Sequence, residues 1–319
     1  MNVRLLEPYG DSDNFDGIIN EYFEDLNICS NYSENSFKEI QIKDFDILRE
    51  YNKKKDLSYQ DYILKPSWIL WILALKNLDT IEDYLNVIIN KKNRYLIKKS
   101  LNTFSGNEMY KLNIFNRIDE TELKKFYNLY SKNIENMKHG INLLKDDFNV
   151  FLENKNDFIN INITYEEKII GGLLAVKKGE MLRAIYLATD KTHKNIDVTR
   201  LLYYFLIDIS IKHKYIYCSL GADPSIYGHM VSIGLYHIKK NMGFIPFPSK
   251  IYGEDSLDLY EKILRINKFN DIALSLGYAD NNNSSSNLDA YIYYKDDISE
   301  QTINKVKGDF INRVHLRRL

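Results

Sequence analysis

Tyr165–Asp190 reads YEEKIIGGLLAVKKGEMLRAIYLATD, and this stretch decides the fold. Two apolar runs, in KIIGGLLAVKK (168–178) and at 181–188, are parted only by Gly179-Glu180. So short a connection turns a strand straight back on itself. FININITY (158–165) stands before them across Glu166-Glu167, so three antiparallel strands follow one another. Their alternating apolar residues fix which face each presents. Downstream, the polar loop THKNIDVT feeds a helix with Val198, Leu201, Leu202, Phe205, Leu206 and Ile209 on its apolar positions. YIYCSL (215–220) is the next strand, expected beside 181–188. A Gly-Ala-Asp-Pro loop, a helix from about Ile226 to Asn241 and a strand opening at Gly243-Phe244 complete this side. Upstream, KLNIFNRI is a strand, and Asp119 caps a helix with Leu123, Phe126, Tyr127, Tyr130, Ile134 and Met137 on one face. Gly140 ends it, and a second helix fits 143–153.

The flanks are less regular. A strand fits Phe37–Ile42. In DYILKPSWILWILALKNL (61–78), Pro66 blocks a helix through the middle, and the residues after it suit a buried strand or a short helix. Asp79-Thr80, with Asp83, reads as the start of a helix running to about Leu101. Lys91, Lys92, Arg94, Lys98 and Lys99 then fall in its C-terminal half, where cations suit the helix dipole. A long helix is expected over roughly 255–276, a flexible loop at NNNSSSN (281–287), and a closing strand and helix.

With 319 residues the chain suits two modest domains or one large unit, and we divide it at 108: a 1–108 N-terminal lobe and a 109–319 domain whose C-terminal extension packs back on that lobe. Apolar residues make up 45% and charged residues 27%, a globular profile, and the net charge of −1 argues against a DNA-binding surface. Cys29 and Cys218 have no metal-ligand spacing and read as free thiols of a reducing compartment. The opening MNVRLLEPYGDSDNFDG is unlike a signal peptide, and Trp68–Leu75 is too short to span a membrane, so a cytoplasmic protein is expected.

Four stretches together resemble the acetyltransferase-like (GNAT) fold. They are the 165–190 hairpin, THKNIDVTRLLYYFLIDISIKHKY (192–215), YIYCSLGAD (215–223) and GLYHIKKNMGF (234–244). The last, with a lysine four residues before Gly-Phe, and the basic run KKNRYLIKKSL (91–101) are similar to the Fem aminoacyltransferase branch. The resemblance implies an α+β fold: a twisted mixed sheet flanked by helices. A reduced second lobe of the same kind is one reading of the first 108 residues; an unrelated domain is the other. It further implies transfer of an acyl or aminoacyl group to a small-molecule or peptide amine, forming an amide. The donor would be a co-substrate rather than a tightly bound cofactor: a CoA thioester, a carrier-protein thioester or aminoacyl-tRNA. The competing reading is an inactive copy of the fold acting as a binding module.

Residue by residue, the resemblance places donor contacts at Thr192, Lys194, Val198, Thr199 and Arg200. The glycines that let backbone N–H groups reach a pyrophosphate are absent here, and Asp197 stands in the loop, where it also reads as a helix cap. Lys239 takes the place of the usual acidic tyrosine, or is an exposed helix lysine with Lys240 beside it, with Tyr236 one turn earlier as a substitute acid or a core residue. Backbone N–H groups near Leu187 and Ala188 would hold an oxyanion. Lys92, Arg94 and Lys98 could meet a phosphate or an acceptor, or form a solvated helix end. Asp190 and Asp223 are possible bases that read better as turn residues. Ser219, His229 and Asp223 lack the glycines of a nucleophile elbow and are rejected as a triad. No metal site is expected.

Overall fold

The computed structural model describes residues 28–30, 46–50, 61–138, 140–253, 257–283 and 286–319. The strand expected at 37–42 lies outside them. The described residues fold as two compact units: those within 1–70, 222–237 and 246–319 form the first, and those within 71–221 and 238–245 the second. Strands run β1 (Ile28–Ser30), β2 (Ile47–Glu50), β3 (Ile63–Pro66), β4 (Trp68–Ala74), β5 (Tyr110–Phe115), β6 (Phe158–Tyr165), β7 (Lys168–Lys178), β8 (Met181–Thr189) and β9 (Tyr217–Pro224). After these come β10 (Ile226–Tyr227), β11 (Ile245–Pro248), β12 (Asp258–Ile263), β13 (Ile272–Tyr278), β14 (Leu288–Tyr294) and β15 (Ile311–Arg318). The longer helices are α1 (Lys91–Ser105), α2 (Glu120–Glu135), α3 (Leu143–Glu153), α4 (Val198–Lys212), α5 (Ile233–Asn241) and α6 (Glu300–Val306).

The second unit is built on a mixed sheet of order β11-β4-β9-β8-β7-β6-β5. The expected neighbours are neighbours: β5 to β8 are antiparallel, and β9 lies parallel to β8. This is the acetyltransferase-like arrangement that the resemblance implies. Two consecutive glycines of β7 let helices sit close on opposite faces. A Cβ on Gly171 would come 2.2 Å from Val198 Cγ1 of α4, and one on Gly172 2.4 Å from Phe126 Cδ2 of α2. Gly172→Ala should therefore destabilise the unit by about 1–3 kcal/mol through overpacking, read as a lowered urea midpoint at unchanged slope. Cys218 is buried in β9, and burial pushes its thiol up to about 12.

Thr80 and Asp83 form the expected capping box, but the helix they start does not run on to 101. It passes into a π turn, Tyr84–Ile88, and stops at an extended Ile89. Asn90 then caps α1 afresh, its side chain accepting from Asn93 N at 2.9 Å. Lys91 and Lys92 thus open a helix instead of closing one, and no basic residue stands in the last turn of α1 to complement its dipole.

The first unit holds two four-stranded sheets, β1-β2-β12-β3 and β10-β13-β14-β15. Here the helix expected over 255–276 is replaced by β12 and β13, and the helix expected from Ile226 by β10 with α5 starting only at Ile233. Burial along Asp258–Ile263 alternates residue by residue, a strand period that long-range pairing with β2 and β3 selects. The chain closes on α6 and then a further strand, β15, parallel to β14. At the centre, Glu261 of β12 faces Arg49 of β2 in the ladder. Its two oxygens take Arg49 Nε and Lys65 Nζ at 2.7 Å each, and Lys65 also reaches Ser275 Oγ at 2.7 Å. All three charged side chains are buried. Burial alone would raise the Glu261 carboxyl, but Lys65 and Arg49 outweigh it and hold it at about 2. Burial likewise pulls Lys65 down to about 8 against the pull of Glu261, which leaves it charged at neutral pH.

Candidate active site

β8 and β9 pair only from Met181↔Tyr217 to Arg183↔Ser219, although β8 continues to Thr189. Over 184–189, β8 pairs with β7 alone, and its ladder with β9 does not continue past Arg183. A register shift in the β7 ladder leaves Ile185 opposite no partner, a bulge that sharpens the twist where the strands part. Gly221 adopts φ +77°, and a Cβ there would lie 2.8 Å from Ala184 O. Only glycine lets the two backbones approach so closely before they separate. Leu187 faces Leu173 and Ala188 faces Gly172 in the ladder, both beyond the last β8–β9 pair.

The loop leaving β8 is tied down by its own polar groups. Asp190 Oδ1 accepts from Thr192 N at 2.9 Å and Oγ1 at 2.7 Å. These bonds hold its carboxyl below the usual range, so it is a weak base in a turn. Asp197 is the cap of α4: Oδ1 accepts from Arg200 N at 2.9 Å, and Oδ2 pairs with the Arg200 guanidinium. The helix end that would otherwise offer N–H groups to a pyrophosphate already carries a negative charge. A cavity of about 450 Å³ lies against this loop, and Lys194, Val198, Thr199 and Arg200 line it. Thr192 instead lines a neighbouring cavity of about 720 Å³.

Lys92, Arg94 and Lys98 line neither cavity; from α1 it is Leu96, Lys99 and Ser100 that reach the smaller one. The Arg94 guanidinium donates to Asn86 O at 3.1 Å and Ile89 O at 3.0 Å, closing the π turn. Lys98 lies 3.7 Å from Glu82 at the surface. Asp223, in the first unit, is buried and accepts from the Tyr227 hydroxyl at 3.0 Å.

Gly243 and Phe244 fix the place of Lys239. Gly243 N donates to Lys240 O at 2.9 Å and Phe244 N to Lys239 O at 3.2 Å, the paired bonds of a Schellman ending. Gly243 takes φ +79°, and a Cβ on it would meet Ile88 Cγ2 at 2.3 Å. Lys239 is only 3% exposed. Lys240, next to it, is half-buried, and burial lowers its pKa. Tyr236, in the first unit, is fully buried, donates to Val306 O at 2.7 Å, and has its hydroxyl pKa raised by burial.

One pair gave no sequence signal. The Tyr186 hydroxyl of β8, next to the bulge, donates to Asp147 Oδ2 of α3. Burial raises the Asp147 carboxyl, the hydrogen bond from Tyr186 working against it. Tyr130 meets the Tyr186 ring edge-on, centroids 5.3 Å apart.

No family model and no curated protein matches the chain. Solved structures similar to it include FemX, 14% identical over 72% of this chain and 75% of that one, TM-score 0.46. They also include L-PGS from Bacillus licheniformis, 14% identical over 75% and 77%, TM-score 0.39. A conserved protein of unknown function from Bacteroides thetaiotaomicron is 12% identical over 73% of each chain, TM-score 0.43. Likeness this distant assigns no residue a role. Among the described residues, no helix is long and apolar enough to cross a membrane and no cluster could hold a metal ion.

Proposed function

We propose that the chain is an acyltransferase that moves an acyl or aminoacyl group from an activated donor to an amine. The observation that carries this is the parting of β8 from β9 after Arg183↔Ser219. A strand held on one edge only, bulged at Ile185, presents backbone groups to a ligand instead of to a partner strand. A carbonyl set into such an edge meets donors that need no reorganisation as charge develops on its oxygen. Leu187 and Ala188 are the proposed oxyanion contacts, and Lys194, Thr199 and Arg200 the proposed donor contacts. Lys239 would stabilise the charged intermediate or protonate the leaving atom. Asp147 would receive the amine proton through Tyr186.

The pinned loop at 190–200 bears on the donor. With Asp197 capping α4 and no glycine before it, a carrier-protein thioester or aminoacyl-tRNA, gripped beyond the phosphate loop, fits better than CoA. The test is intact mass spectrometry of a panel of amines after incubation with each donor class. Transfer should add the acyl mass to one amine with the release of free carrier, tRNA or CoA. No transfer from any donor would leave the inactive binding module as the better description.

A further inference from the structure

In the first unit, the sheet β10-β13-β14-β15 has two unequal edges. One is β10, two buried residues. The other is β15, eight residues long and paired, among the described residues, with β14 alone. Along its outer side, every second residue therefore turns an N–H and a C=O away from the sheet. The strand is pinned from within. Asp289 Oδ1 of β14 accepts from Asn312 Nδ2 at 3.0 Å and from Arg313 N at 3.1 Å, and Oδ2 meets His315 Nε2 at 2.8 Å. The His315 ring stacks on Tyr291, centroids 4.5 Å apart. An edge already held in place spends little entropy when a further strand is added.

The side chains of β15 say which strand that is. INRVHLRR carries three arginines and no carboxylate. Arg313 lies 3.4 Å from the exposed Asp280, and among the described residues no carboxylate pairs with Arg317 or Arg318. Charge on an edge strand guards against pairing with a second copy, since two antiparallel β15 strands would set arginine near arginine. That guard accounts for the arginines but not for Leu316, an apolar side chain 41% exposed beside them. We propose that β15 takes an extended acidic peptide as the next strand of this sheet. Backbone pairing supplies the affinity and the side chains select the sequence. Leu316 and Arg318 share one face and His315 and Arg317 the other, in step with the β14 ladder. The fitting peptide thus sets an apolar residue beside Leu316 and carboxylates at two consecutive positions, one for each guanidinium fork. The proposal does not depend on acyl transfer.

The experiment is fluorescence anisotropy of the full chain with labelled peptides. The first probe is Val-Glu-Glu-Val-Glu-Glu-Val. The second has lysine at each glutamate, and the third keeps the acidic sequence with every central amide N-methylated, which preserves charge and removes strand pairing. Wild type should bind the first at least about tenfold more tightly than either of the others. The double variant Arg317→Glu, Arg318→Glu should lose the acidic peptide and prefer the lysine one. Both arginines are exposed, so its melting curve should match wild type, and the comparison of peptides on wild type holds whatever the variant does. No binding of the acidic peptide overturns the proposal. Equal binding of the N-methylated peptide would reduce β15 to a patch of charge and overturn strand addition. Unchanged affinity in a folded Arg317→Glu, Arg318→Glu variant would put the peptide elsewhere. A wild-type dimer in sedimentation that this variant dissociates would give the edge to a second copy of the chain and overturn the acidic-peptide assignment.

Discussion

Glu261→Gln should cost the first unit about 3–5 kcal/mol, because it strands two buried cations with no anion between them. Lys65 and Arg49 both direct a nitrogen to this carboxylate at 2.7 Å, and the three side chains are almost wholly withdrawn from water. The triple change Glu261→Leu, Lys65→Met, Arg49→Met removes every charge and should be neutral or stabilising by about 1–4 kcal/mol. Urea denaturation of wild type, single and triple variants separates the two effects. The pH dependence follows from the same group. The folded carboxyl titrates at about 2 against an ordinary 4.5, so the unfolded chain takes up the proton first. The stabilisation is fully present above about 4.5 and is lost as pH falls toward about 2; over that window it amounts to about 3 kcal/mol. The Glu261→Gln variant should lack this acid limb. An acid limb identical in wild type and variant would show that Glu261 does not titrate as the network requires.

What the sequence made legible was what local chemistry decides. The β6–β8 meander followed from two-residue turns and alternating side chains, and Asp197 as a cap from its place before an apolar helix. Long-range pairing decided the rest. Leu259, Ile263 and Ile266 fit a helical spacing, and only strands more than 190 residues upstream turn that segment into β12, with Glu261 at its core. The break at Ile89 depends on a π turn whose carbonyls Arg94 satisfies, which no residue type announces. The splay of β8 from β9 leaves no mark on side chains, because its signature is the pairing that stops at Arg183↔Ser219. Asp147 looks like any acidic residue on an amphipathic helix until Tyr186 is brought against it.

Lys239→Met should lower turnover by about a hundred- to a thousandfold under the acyl-transfer proposal, the loss that follows removal of one transition-state donor. Its place is set by backbone geometry, not chance: the Schellman bonds at Gly243 and Phe244 put it in the last turn of α5, where it is 3% exposed. An ammonium held out of water acts on developing charge more strongly than one in solvent. Methionine keeps the apolar stem and loses the charge. Because the lysine is buried, folding must be read separately, by comparing melting temperatures of wild type, Lys239→Met and Lys240→Met. A catalytic role predicts a collapse in kcat for Lys239→Met at a melting temperature near wild type, with Lys240→Met close to wild type in both. Lys239→Arg, which restores a cation on a different head group, should recover part of the rate. A structural role predicts the opposite split: a lowered melting temperature with undiminished turnover of the folded fraction. Full turnover in Lys239→Met would remove the residue from the mechanism and leave the charge on the carbonyl oxygen to the backbone of β8 alone.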